Sequence, residues 1–128
     1  MAIKILIVDD EQDVESLFRQ RFRKELRGEE FSFHFAFSGE EAMAFMNSLQ
    51  PFDIVLVLSD INMPGMTGLE LLRMVKISFP ATKVIMVTAY GGERNRAEAG
   101  NAGADDFVTK PVNFDLLKEK ILAINMPA

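Results

Sequence analysis

Residues 54–70 read IVLVLSDINMPGMTGLE. Ile54 to Leu58 is an uninterrupted aliphatic run, the pattern of a strand buried on both faces of a parallel sheet. The run stops at an acid, Asp60, and a turn-forming loop follows, Asn62-Met63-Pro64-Gly65-Met66. Thr67-Gly68-Leu69-Glu70 then reads as a capping box. The helix it opens carries Leu69, Leu72 and Val75 on one face and ends before Pro80. A buried strand, an acid at its carboxyl end and a capped helix make one βα unit.

The same unit recurs on both sides. Upstream, Ile3 to Val8 is a second apolar run, stopping at Asp9-Asp10. Glu11 to Arg27 places Val14, Leu17, Phe18, Phe22 and Leu26 at helical spacing, with acids early and bases late, and Gly28 ends it. Phe31 to Phe37 alternates with period two, and Ser38-Gly39-Glu40-Glu41 predicts a capped helix running to about Leu49, before Pro51. Downstream, Lys83 to Val87 is a third buried run, ending at Thr88. Gly91 to Gly103 holds four glycines and predicts only a weak helix. Phe107-Val108 is a minimal strand that stops at Thr109-Lys110-Pro111. Asn113 can cap a last helix bearing Phe114, Leu117, Ile121 and Ile124. Five βα units predict an α/β fold: a parallel, doubly wound sheet with helices on both faces.

At 128 residues the chain is one domain, 1–128, with no linker and no internal repeat. A hydrophobic share of 48% against 26% charged residues is a globular composition. The absence of cysteine excludes a disulfide scaffold, thiolate zinc sites and thiol catalysis. A formal charge of -5 has the wrong sign for direct nucleic-acid binding. No aliphatic run approaches the length of a membrane span, and Met1 to Val8 is too short for a signal peptide. The expectation is a soluble, cytoplasmic protein.

In open α/β sheets ligands bind outside the carboxyl ends of the strands. Asp9-Asp10, Asp60, Thr88 and Lys110 would therefore meet at one edge. Hard oxygen donors without His or Cys point to Mg²⁺ or Ca²⁺. A carboxylate can also act as a nucleophile and form an acyl phosphate, with Thr88 and Lys110 holding the phosphoryl oxygens. Each residue alone has a plainer reading. Asp9-Asp10 suits any helix start, Thr88 any strand end, Lys110 any wet surface, and Asn62 to Gly65 any turn. His34 is expected to be exposed, and the phenylalanine stripe and eight methionines to fill core. The plain readings lose ground because five polar residues recur at the same end of different strands.

Four stretches carry a resemblance that covers essentially the whole chain. They are Ile7-Val8-Asp9-Asp10-Glu11, Asp60 to Gly68, Val87-Thr88-Ala89 and Gly103 to Pro111. Together they resemble the response-regulator receiver domain, the CheY-like family of two-component signalling. The resemblance implies a flavodoxin-like (βα)5 sheet in the order 2-1-3-4-5. It implies that Asp60 is the phosphoacceptor, charged by a sensor histidine kinase, a phosphotransfer protein or a small phosphodonor. It implies Mg²⁺, with Mn²⁺ as a substitute, held by Asp10, Asp60 and the backbone carbonyl of Asn62, with Asp9 acting through water. Lys110 would pair with the phosphoryl group, and the Lys110-Pro111 bond would be cis. Thr88 would move onto the phosphoryl oxygens and Phe107 would turn inward behind it. The face of the fourth helix, fifth strand and fifth helix would meet a downstream protein target or a fused output domain. The chain would then be either a stand-alone regulator or a piece of a longer protein.

One departure stands out. Six residues separate Asp53 from Asp60. The family usually has about four there, and two extra residues preserve the in-out alternation of a strand. An early strand start, a bulge or a longer preceding loop would each absorb them. Rival chemistries fare worse. An aspartate-nucleophile phosphohydrolase of the haloacid-dehalogenase kind needs a second acid where Asn62 stands. A calcium loop starting at Asp60 meets Pro64 and Leu71 where ligands are needed. Neither phosphate-cradling glycine pattern occurs. The remaining alternative is a receiver-fold interaction module that is never phosphorylated.

Overall fold

The computed structural model describes residues 2–48, 54–89 and 92–125. Leu49, Pro51, the Asp53 end of the six-residue spacing, Gly91 and the last three residues lie outside them. Strands β1 (Ile3–Val8), β2 (Phe31–Ala36), β3 (Leu56–Asp60), β4 (Lys83–Thr88) and β5 (Asp106–Thr109) form one sheet in the order β2-β1-β3-β4-β5, all pairs parallel. The helices are α1 (Asp13–Arg21), α2 (Arg23–Arg27), α3 (Gly39–Asn47), α4 (Gly68–Ser78), α5 (Glu93–Asn101) and α6 (Phe114–Asn125). The fold is the flavodoxin-like, doubly wound α/β sandwich.

Period-two alternation along each central strand builds two cores. Leu6, Val8, Val57, Val84 and Met86 face α3, α4 and α5, meeting Met43, Met46, Leu71, Leu72, Val75 and Ala99. Ile5, Ile7, Leu56, Leu58, Ile85 and Val87 face the other way, onto Phe18, Phe22, Leu117 and Ile121. The phenylalanines concentrate on that second side. Phe18 meets Phe114 edge-on at 5.2 Å and Phe22 meets Phe31 at 5.6 Å, contacts worth about 0.5–1.5 kcal/mol each beyond burial. His34 points to the opposite, first side, where it is exposed and its ring stacks on Phe45 at 3.5 Å.

Three local expectations change. The first helix is broken into α1 and α2 at Phe22, whose φ of -107° and ψ of 28° leave the helical basin. Hydrogen bonds from Phe22 N–H to Phe18 and from Leu26 N–H to Phe22 survive, so the chain bends while Phe22 stays buried among the rings. The predicted fourth and fifth helices are consequently α5 and α6. Strand β3 begins at Leu56 and runs through Ser59 and Asp60, two residues later than the aliphatic run suggests. Its pairing with β1 and β4 is continuous, so β3 itself carries no bulge. Finally, Ser38 accepts from the Glu41 N–H, but only Thr67 and Glu70 complete both halves of a capping box. At Ser38 φ is -156°, against -73° at Thr67.

Candidate functional site

Parallel register brings the scattered polar residues level. Val8 pairs with Ser59, so the next residues, Asp9 and Asp60, stand side by side. Asp60 pairs with Val87 and Thr88 with Thr109, which sets Thr88 and Lys110 one step beyond on the neighbouring strands. The Lys110 ammonium lies 2.9 Å from Asp60 Oδ2, and the Asn62 N–H donates to Asp60 Oδ1 at 3.2 Å. Asp60 is 6% exposed. One oxygen from each of Asp9, Asp10 and Asp60 lies within 4.8 Å of the others. The Lys110-Pro111 peptide bond is cis.

The electrostatics follow from crowding acids at a half-dry edge. Burial raises the Asp9 pKa above 3.8, and repulsion from Asp60 adds to it, although the Glu11 N–H bond and Lys110 pull the other way. Burial works against the Lys110 charge, but hydrogen bonding to Asp60, with the further charges of Asp9 and Glu11, carries its pKa above 10.5. Lys110 engages one acid of the three directly. The donor set is all hard oxygen, with more negative charge than one lysine can balance, and it fits a divalent cation such as Mg²⁺. Thr88 is fully buried, and its Oγ1 is the buried side-chain polar atom without a hydrogen-bond partner among the described residues. Such a group costs about 1–3 kcal/mol unless something arrives to use it.

Phe107 stands apart from this cluster. Its half-buried ring packs against α5, beneath the Arg96 guanidinium at 5.1 Å. A cleft of about 370 Å³ runs from Asp9, Asp60 and Lys110 down between α1 and the β5–α6 loop, walled by Val14, Phe18 and Phe114.

Two supporting residues were not singled out from the sequence. A Cβ on Gly68 would sit on the Asp60 carbonyl oxygen and 2.7 Å from the Ile61 Cα, so only glycine lets α4 start against the acid's own backbone. Its N–H donates to the Ile61 carbonyl at 2.8 Å. A glycine at the first helical position after Thr67 was the available signal. Glu40 holds the Asn62–Met66 loop by accepting from the Met66 N–H at 3.1 Å, and Gly65, at φ 74°, makes the turn. Twenty-six residues separate that pair, and nothing local announces it.

The comparisons with known proteins agree with this geometry. Residues 5–122 match the response regulator receiver domain family. The chain is similar to the transcriptional regulatory protein ResD of Bacillus subtilis (strain 168), 38% identical over 109 residues, covering 84% of this chain and 42% of that one. It is 35% identical over 117 residues to a cyclic di-GMP phosphodiesterase of Thermotoga maritima, covering 91% of this chain and 29% of that one. The chain thus spans less than half the length of these curated relatives. A crystal structure of a response regulator receiver domain protein from Clostridium thermocellum matches it with a TM-score of 0.85 at 27% identity, over 97% of this chain and 94% of that one.

Proposed function

The chain belongs to the response regulator receiver domain family, and from that premise we propose that residues 1–128 act as one phosphorylation switch with Asp60 as the phosphoacceptor. The donor is a sensor histidine kinase or a phosphotransfer protein, working in the cytoplasm. An Asp60 carboxylate oxygen attacks the phosphorus, the bond from phosphorus to the donor's imidazole nitrogen breaks, and that nitrogen keeps the electron pair and takes up a proton. The product is an acyl phosphate on Asp60. Lys110, held charged beside the acids, balances the incoming phosphoryl oxygens, and the Thr88 hydroxyl donates to one of them. Asp10, Asp60 and the Asn62 carbonyl would hold Mg²⁺ directly and Asp9 through water, with Mn²⁺ able to substitute. When bound, the ion supplies positive charge against the acids and the phosphoryl oxygens.

As Thr88 turns to the phosphoryl group, Phe107 moves inward, and the face made by α5, β5 and α6 changes for a downstream protein or a fused output domain. The purpose is a signal; no external metabolite is turned over beyond the phosphodonor. The observation that carries this reading is the buried Asp60 carboxylate bonded to Lys110 at 2.9 Å, at the strand ends beside a Thr88 hydroxyl with no partner among the described residues. Acetyl phosphate with Mg²⁺ tests it by intact mass. Wild type should gain one phosphoryl group and Asp60→Asn none. Labelling that maps to Asp9 or Asp10, or that survives the Asp60 change, overturns the assignment.

A further inference from the structure

Phe107 meets α5 at the exposed Arg96 and lies beside the exposed Gly100. The Arg96 guanidinium carbon stands 5.1 Å from the centre of its ring. The ring's Cζ passes 3.9 Å from where a Cβ on Gly100 would be. The other arginine of α5, Arg94, reaches Glu98 at 3.6 Å, whereas Arg96 has no ion pair among the described residues. Met86 pairs with Phe107 across the sheet, and two residues further along β4 the Thr88 hydroxyl is without a partner among the described residues. A planar cation over an aromatic face is an attractive contact, and it exists only while the ring stays beneath it.

We propose that Arg96 is a positioning residue for the switch: its guanidinium holds the Phe107 ring against α5 and opposes the inward turn that accompanies phosphorylation of Asp60. The proposal rests on the function given above. A contact made only in the resting arrangement lowers apparent affinity for anything that needs the other arrangement, in proportion to the resting state's added population.

Calorimetric titration of beryllofluoride with Mg²⁺ reads that affinity directly. Arg96→Gln should bind about two- to fivefold more tightly than wild type, the factor that an exposed cation–π contact supplies. Arg96→Lys, which keeps a cation without the planar fork, should fall between. In a Phe107→Leu background the Arg96→Gln gain should vanish, because the ring it acts through is gone. The sign is diagnostic. Loss of a positive charge alone would weaken binding of an anion, and a merely structural Arg96 would lower the melting temperature with no gain in affinity. An unchanged or weaker affinity in Arg96→Gln, or an equal gain in both backgrounds, overturns the proposal. Failure of wild type to bind beryllofluoride overturns the phosphoacceptor reading and this one together. Binding by wild type with no response to Arg96→Gln overturns this one alone.

Discussion

Replacing one acid of the strand-end cluster should make the metal-free protein more stable. Asp9 is 9% exposed, and one of its oxygens lies within 4.8 Å of oxygens on Asp10 and Asp60. At an effective dielectric of 20, two like charges at that distance repel by about 3 kcal/mol. The attraction of Lys110 and the Glu11 N–H bond to Asp9 Oδ1, 2.9 Å long, offset part of this. Asp9→Asn removes the charge but keeps Oδ1, so the Glu11 bond survives. A net gain of about 1–2 kcal/mol is expected in EDTA, or roughly 4–7 °C in melting temperature for a chain of this size. Mg²⁺ should narrow the gap, because wild type gains stability by mass action and the mutant offers one acid fewer. Differential scanning calorimetry of both proteins, in EDTA and in Mg²⁺, is the assay. If Asp9→Asn melts at or below wild type in EDTA, the three acids do not hold one another at a cost, and the electrostatic account of the site is wrong.

Other expectations are as direct. Gly68→Ala should lose several degrees in melting temperature and most acetyl phosphate labelling, since its Cβ would push into the Asp60 backbone; wild-type behaviour in both assays would show that the start of α4 can move freely. Gly100→Ala has room, with the nearest atom 3.9 Å from the new Cβ, and should stabilise α5 by about 0.5–1 kcal/mol. Hydrogen exchange at Arg94 to Ala102 should slow in that variant, and unaltered exchange there would count against α5 as the marginal helix. Glu25 bonds Lys118 at 2.8 Å between α2 and α6, and that hydrogen bond draws its pKa below 4.5 while raising that of Lys118 above 10.5. Because the folded carboxylate's pKa is lowered, its contribution is present above 4.5 and fades as pH falls through the folded value; that of Lys118 is present below 10.5 and fades as pH rises through its own. Urea titrations should show Glu25→Gln less stable than wild type at pH 7 and equal to it near pH 3. A constant difference across that range would exclude the pair as its cause.

Much of the architecture was legible because its causes are local. Runs such as Ile3–Val8 and Lys83–Val87 are apolar at successive positions, and only a strand covered on both faces can bury them all. Thr67 and Glu70 announce a helix start within four residues, and Asn113 does the same for α6, accepting from the Leu116 N–H at 3.1 Å. The acids and Lys110 were legible as a group once the strands were taken as parallel, because that topology sends every strand's carboxyl end to the same edge. Other features depend on what touches what across long stretches of chain. Phe22 bends its helix while packed among rings from β2 and α6. Asp60 lies inside β3 because that strand's register is set by β1 and β4, not by its own aliphatic run. Glu40 holds a loop 26 residues away, and Arg96 covers a ring on a different element. The Thr88 hydroxyl, unpartnered among the described residues, and the excluded Cβ at Gly68 are absences of a partner or of space. Periodicity and spacing report which face a residue occupies, whereas vacant donors and close approaches are properties of assembled neighbours, and only the folded chain brings those neighbours together.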